Sequence, residues 1–266
     1  MRERAMIDQA VLHQQYGGLE RLTARQSLWR LRAGPALHTI VLDQAGLDGT
    51  ETILDVGCGS GTYLAELRRR GHTGMIVGLD QSAAMVLRAN AYASTAVADA
   101  QALPLGDDSV DVVLCLHMLY HVADLPRAVA ELRRVLRPGG TAMVTTNGAG
   151  HTIQARHLLA TAADQVAALD VGLALDTRRF DPTVAGALLG AVFDHCDIHE
   201  LGDTLQVSDP AVLLDYIASW PPESIGLTAG PLWDNILTAT SDLIAVHFAA
   251  NRTFPISSRV VILRCQ

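Results

Sequence analysis

No stretch of the chain approaches the ~18 consecutive apolar residues that a membrane span needs. Its first residues, Met1-Arg2-Glu3-Arg4, run into a mixed polar segment that lacks the apolar core of a signal peptide. A cytoplasmic protein with no membrane partner is therefore expected. Cysteine is scarce. Cys58, Cys115, Cys196 and Cys265 are scattered and form no C-x-x-C pair, which predicts small buried or half-buried thiols in a reducing compartment. Positive charge is in deficit: 20 Lys and Arg stand against 28 Asp and Glu, a net charge of −8. That balance argues against a broad nucleic-acid footprint or an anionic membrane surface as partner. A short basic run, Arg68-Arg69-Arg70, reads as a solvated helix end. Internal repeats, low-complexity tracts and clear linkers are absent. What is plentiful is apolar: 49% of 266 residues, enough for a substantial core in one large domain or one domain with a lid.

The chain is organised around Thr52 to Asp80. Thr52–Val56 reads as a buried parallel strand, Gly57-Cys58-Gly59-Ser60-Gly61 as a glycine turn, and Tyr63 to Arg70 as a helix. Glycines at 57, 59 and 61 allow positive φ and remove the Cβ atoms that would hold a ligand away. A second apolar run, Met75-Ile76-Val77-Gly78-Leu79, ends at Asp80, 19 residues after Gly61, which suits one strand–helix–strand unit. An acid at that strand tip can accept hydrogen bonds from both ribose hydroxyls of a nucleoside. The spacing predicts a nucleoside-binding crevice. A dinucleotide fingerprint would need G-x-G-x-x-G. The pattern here is one residue shorter, which disfavours a nicotinamide oxidoreductase.

Ahead of this unit, residues 1–50 read as helical. Ala5 to Gln15 carries an apolar stripe, Gly17-Gly18 breaks it, and Leu19 to Ala33 resumes it; a further helix from Pro35 closes at Gly46. Behind it, α/β alternation runs to Asn147. Ser82 is expected to cap a helix over Ala83–Tyr92. Strands follow at Thr95–Ala98, Val110–Leu116 and Thr141–Thr145. The amphipathic helix opened by Asp124-Leu125-Pro126 is expected to stop at Pro138-Gly139-Gly140. Farther on, helices are predicted over His151–Leu169, from Asp181-Pro182 to Val192, from Ser208-Asp209-Pro210 to Trp220, and over Leu232–Ala249. Strands are predicted at Asp197–Leu201 and Arg259–Cys265.

Five stretches share one order and spacing: Leu54 to Gly61, Gly78-Leu79-Asp80-Gln81-Ser82, Asp99 to Leu105, Asp111-Val112-Val113 and Leu136-Arg137-Pro138-Gly139-Gly140. Together they resemble the class I S-adenosylmethionine-dependent methyltransferases, in the small-molecule branch related to ubiquinone and menaquinone biosynthesis methyltransferases, over about residues 51–147. The resemblance implies an α/β fold, a Rossmann-like seven-stranded sheet of order 3-2-1-4-5-7-6 with the last strand antiparallel. It also implies an N-terminal helical cap over residues 1–50 and a methyltransferase domain over 51–266. Within that domain, about 151–180 and 208–250 would be helical lid insertions that cover the substrate rather than build a second core. Tyr16, Arg25, Trp29 and Arg30 are the cap side chains to watch.

The same resemblance implies the site. S-adenosylmethionine, leaving as S-adenosylhomocysteine, would lie against the backbone of Gly57 and Gly59. Asp55 would serve its amino group, Asp80 its ribose, and Gln81, Asp99 and Ala100 its adenine, with His117 beside the ammonium group. In the turn after the fourth strand, His117-Met118-Leu119-Tyr120-His121, His121 and its neighbour Tyr120 are the candidates for proton removal or acceptor positioning. His117 and His121 stand four apart, but no glutamate completes an H-E-x-x-H pattern, so no metal is expected. Asn147, His151, Arg156 and His157 are further rim candidates. The implied reaction is methyl transfer to oxygen, nitrogen or carbon of a small-molecule acceptor. The alternative is a non-catalytic S-adenosylmethionine-binding protein, or a relative using the fold for another reaction. A nucleic-acid methyltransferase is disfavoured by charge and by the lack of an Asn-Pro-Pro-Tyr/Phe-type motif after strand four.

Overall fold

The structure is a computed structural model that describes residues 19–170 and 180–266. The expected helix over Ala5–Gln15 and the side chain of Tyr16 lie outside the described residues. Seven strands form one sheet: β1 (Ile53–Val56), β2 (Ile76–Asp80), β3 (Ser94–Val97), β4 (Val110–Leu116), β5 (Leu136–Asn147), β6 (Cys196–Val207) and β7 (Phe254–Cys265). Their order is β3-β2-β1-β4-β5-β7-β6, with β7 antiparallel to both neighbours. The α/β Rossmann-like fold and the expected strand order are as the sequence implies.

The centre of the sheet explains the sequence pattern. All four residues of β1 are buried, because a central parallel strand is covered on both faces and has no solvent side for alternation to mark. Helix α1 spans Leu19–Trp29 and α2 Leu37–Ala45, the latter closed by Gly46 at φ 68°. Then come α3 (Thr62–Arg69), α4 (Ala83–Ala89), α5 (Leu125–Val135), α6 (Ile153–Ala167), α7 (Pro182–Gly190), α8 (Pro210–Ala218) and α9 (Pro231–Ala250). Asp124, Asp181 and Asp209 each cap the helix that follows, accepting from the backbone N–H of Arg127, Val184 and Ala211. Each such cap contributes on the order of 1 kcal/mol.

Several boundaries differ from expectation. Ser82 occupies the cap position of α4 but its side chain makes no capping bond; the Asp80 carboxylate takes the Ser82 N–H instead, at 2.8 Å. Helix α4 ends at Ala89, not Tyr92, and α5 ends at Val135, with β5 starting before Pro138-Gly139-Gly140. Strands β6 and β7 each run for 12 residues, well past the segments predicted for them. The basic run is not simply solvated: Arg69 and Arg70 pair with the buried Glu66, and Arg68 donates to the carbonyls of Tyr92 and His72.

Two of the four expected thiols are joined. Cys196 and Cys265 stand 69 residues apart, but the antiparallel register of β6 and β7 sets them opposite each other, Cα atoms 4.1 Å apart, and they form a disulfide. Spacing along the chain could not reveal a contact made by strand register. Cys58 and Cys115 are free and buried.

Two apolar clusters sandwich the sheet. One face carries α5 and α7, the other α2 and α3. The third cluster departs from expectation. Residues from α1, α6, α8 and α9, among them Leu28, Leu159, Tyr216, Trp220, Trp233 and Ile244, close around Leu205, Val207, Phe254 and Ile256 from the far ends of β6 and β7. The helices beyond the sheet therefore do build a second core. The N-terminal segment divides between the two bodies: α1 packs into that second core, whereas α2 packs on the sheet.

Candidate functional site

The parallel strands end in the turn that follows β1. There Gly57 and Cys58 both donate their backbone N–H to the Leu79 carbonyl, at 2.7 and 2.9 Å, while Gly61 N–H donates to Cys58. The three glycines do different work. A Cβ on Gly57 (φ 76°) would meet the Met118 side chain at 2.8 Å, so this glycine lets the turn after β4 close against the turn after β1. Gly61 lies against Ala89 and Tyr92 and admits α4. At Gly59 (φ 54°) a Cβ would meet nothing within 4 Å. Gly59 is thus the one of the three whose bare backbone faces open space.

Two acids flank the turn. Asp80 holds it in shape: one carboxylate oxygen accepts from Gly59 N–H at 2.9 Å and the other from Ser82 N–H. Asp55 is 1% exposed, and its Oδ2 has no hydrogen-bond donor among the described residues. Burial pushes the Asp55 carboxyl up to about 7, and the Asp80 charge adds to that rise. A buried acid with an unmatched oxygen carries a cost of several kcal/mol unless a donor or cation arrives. Asp99 is exposed and tied to Gln101, accepting from its N–H at 2.9 Å and from its amide at 3.0 Å. Ala100 is buried and Gln81 exposed.

Across the crevice, His117 takes a positive φ of 54°, which costs a non-glycine residue about 1–3 kcal/mol. Its N–H reaches the Thr145 hydroxyl oxygen at 3.0 Å, which ties the end of β4 to β5. Tyr120 and His121 follow in a one-turn 3-10 helix, with their rings edge to face at 4.5 Å. Both are half-buried. Desolvation takes His121 down to about 3, with the Arg25 charge contributing, and takes His117 down to about 4. Packed protein and a nearby guanidinium both oppose the imidazolium, so the His121 side chain is held neutral well below the ordinary histidine value.

The second core roofs this turn. Arg25 of α1 donates to the Ser219 carbonyl at 3.1 Å, and Trp29 stacks on His151 with ring centroids 5.1 Å apart. Trp29 also meets the edge of Tyr216, a buried residue that the sequence reading did not single out. His151 is buried, accepts the Arg259 N–H at Nδ1, and falls to about 3 through burial and the neighbouring His117. Beside the end of β5 lies a cavity of about 780 Å³, lined by Asn147, Arg156, Glu200 and Arg259 among others. Sequence reading named Asn147 and Arg156 but not Glu200 or Arg259, which come together only through the β6–β7 register. Asp55, Gly57, Gly59, Asp80 and His117 meet around the two facing turns, and Gln81, Asp99 and Ala100 follow β2 and β3. No group of three or more His, Cys, Asp or Glu side chains suited to a metal occurs among the described residues.

Residues 54–144 match the methyltransferase domain family. Over 127 residues the chain is 32% identical to a malonyl-[acyl-carrier protein] O-methyltransferase of Xylella fastidiosa, covering 46% of this chain and 43% of that one. It is 36% identical over 104 residues to a 2-phytyl-1,4-naphtoquinone methyltransferase of Trichormus variabilis, covering 35% and 45% of the respective chains. The chain spans less than half the length of the curated relatives it matches. A solved structure from Anabaena variabilis, described as a methyltransferase of an antibiotic biosynthesis pathway, superposes with a TM-score of 0.62 at 16% identity. That superposition covers 86% of this chain and 96% of the other, and shows a shared fold. Residues 54–144 thus resemble the methyltransferase domain family, and the chain carries them in a Rossmann-like seven-stranded fold.

Proposed function

We propose that the protein transfers a methyl group from S-adenosylmethionine to a small-molecule acceptor. The observation that carries this reading is the pair of features at the end of β1: a buried Asp55 oxygen without a donor, and a Gly59 backbone facing open space beside it. Both suit S-adenosylmethionine, which, when bound, supplies a methyl group on a positively charged sulfur. Asp55 would take the ammonium end. The Asp80 oxygens, each with one lone pair committed to the backbone, retain capacity for two ribose hydroxyls. Asp99 and the Ala100 amide would hold the adenine edge, with Gln81 beside it and His117 near the amino-acid end.

What the protein contributes to rate is mostly placement of the acceptor in line with the methyl carbon. Tyr120 and His121, which follow Met118, whose side chain lies against Gly57, are assigned that work. An imidazole held at about 3 is a poor proton store at neutral pH. His121 therefore serves better as a neutral hydrogen-bond partner that orients the acceptor than as a strong base. Residues 1–50, with the segments at about 151–180 and 208–250, would form the enclosure, set on the methyltransferase domain proper.

Among the described residues no helix is long and apolar enough to cross a membrane. The negative charge supports an acceptor other than nucleic acid. A cytoplasmic setting is in tension with the Cys196–Cys265 disulfide, since such bonds persist in oxidising surroundings; alkylation of freshly lysed cells followed by mass spectrometry decides between them. The activity is tested by calorimetry with S-adenosylhomocysteine, then by release of that product from S-adenosylmethionine across an acceptor panel. Tight binding with product release supports the reading. Absence of binding, or protection by a nicotinamide dinucleotide instead, defeats it.

A further inference from the structure

The cavity beside β5 has a chemical signature of its own. Ile153, Leu201, Val260 and Val261 are apolar members of its lining. Arg156, from the first turn of α6, and Arg259, from β7, bring two guanidinium groups to the same space. Arg259 lies flat across the neighbouring strand: a Cβ on Gly202, its register partner in β6, would sit 2.5 Å from its Nη1. No carboxylate of the described residues lies within ion-pairing distance of Arg259, and its guanidinium makes one long contact, 3.5 Å, to the Ser258 carbonyl. Glu200 projects from the same face of β6, two residues from Gly202, yet the two charges do not pair, because Arg259 is turned onto Gly202. Asp181, the other acid of the lining, is committed to capping α7 through the Val184 N–H. The glycine thus keeps a cation available that the adjacent acid would otherwise claim.

We propose that this cavity binds an acceptor bearing a carboxylate on an apolar body, with the carboxylate held by Arg259 and Arg156. Guanidinium groups suit carboxylates because their N–H fork matches two oxygens at once. A volume of about 780 Å³ falls in the range of small-molecule sites. Its position fits the chemistry: Asn147 ends β5, the strand beside β4, so the cavity opens about one strand spacing from the turn that bears Tyr120 and His121. The inference rests on the methyltransferase reading only in calling this ligand the acceptor.

Octanoate, 1-octanol and octylamine are titrated calorimetrically into the protein, with and without S-adenosylhomocysteine. The expected order is octanoate tightest by tenfold or more. Arg259→Gln should remove that preference while the 1-octanol affinity stays within twofold; the Arg259 N–H to His151 is a backbone bond and survives the change. Gly202→Ala should weaken octanoate by displacing the guanidinium, and Glu200→Gln should strengthen it a few-fold. Octanol or octylamine binding as tightly as octanoate, no binding of any of the three, or an unchanged octanoate affinity in Arg259→Gln overturns the proposal. If S-adenosylhomocysteine binds in that case, the methyltransferase reading stands alone. If it does not bind while octanoate does, the cavity assignment stands and the methyltransferase reading falls.

Discussion

Replacing Asp55 by Asn should make the protein more stable and bind its cofactor less well, with the stability gain growing as pH rises. The folded-state carboxyl is raised from 3.8 to about 7, chiefly by burial. The folded chain therefore keeps the Asp55 proton at pH values where the unfolded chain has already released it. Stability from this group is greatest below pH 3.8, falls as pH rises to about 7, and is level above that. The span is about three pH units, and each is ~1.36 kcal/mol, giving at most about 4 kcal/mol of lost stability at pH 8. Asparagine has the same shape and cannot ionise, so it escapes that loss. Urea midpoints of the two proteins should nearly coincide at pH 4 and separate progressively towards pH 8. Calorimetry at pH 8 should show weaker S-adenosylhomocysteine binding by the same variant. A gap that is equal at pH 4 and pH 8, or no gap at either, would refute the reasoning, because packing changes carry no such pH dependence.

Three further outcomes follow from the site. Asp80→Ala removes the acceptor of the Gly59 and Ser82 N–H groups as well as the proposed ribose contact, and should cost about 1–3 kcal/mol of cofactor affinity by calorimetry; unchanged affinity in the folded variant would sink the ribose assignment. His121→Ala should raise the acceptor KM more than it lowers kcat, and the wild-type rate should show no limb near pH 6.5, since burial and Arg25 hold the imidazole near 3; a limb there would restore the base role. In hydrogen exchange, cofactor and acceptor together should protect α1, α6 and α9, whereas indifference of all three would count against a roof over the acceptor.

The sheet was legible because its centre obeys one simple rule. Buried parallel strands read as short apolar runs, and Ile53–Val56, Ile76–Asp80 and Val110–Leu116 all show it. The facing turns were legible for a second reason: the glycines and Asp80 stand at spacings that their local geometry demands. Strands β6 and β7 were half hidden, because their outer halves alternate but carry only two large apolar residues each, Leu205 with Val207 and Phe254 with Ile256, too short a run to stand out from the flanking helices. The second core was hidden altogether. It is assembled from α1, α6, α8 and α9, each of which shows an apolar face without showing what that face meets. Arg259, Gly202 and the Cys196–Cys265 bond share this cause, since all depend on which residue of one strand lies opposite which residue of another.

The length of β6 and β7 sets how the enclosure can open. The first half of β6 and the last half of β7 complete the sheet, and the opposite ends of the pair carry Leu205, Val207, Phe254 and Ile256 into the roof. Floor and roof are thus two ends of one cantilever. Swinging the roof away as a free flap would mean bending a paired ribbon twelve residues long and breaking its ladder. Lifting the eleven-residue α1 would leave that ladder intact, at the cost of the Trp29–His151 stack, the Arg25–Ser219 bonds and the burial of Leu28. A hinge in the segment Arg30–Ala36 would let α1 swing as a door while the paired ends of β6 and β7 keep the ceiling in place.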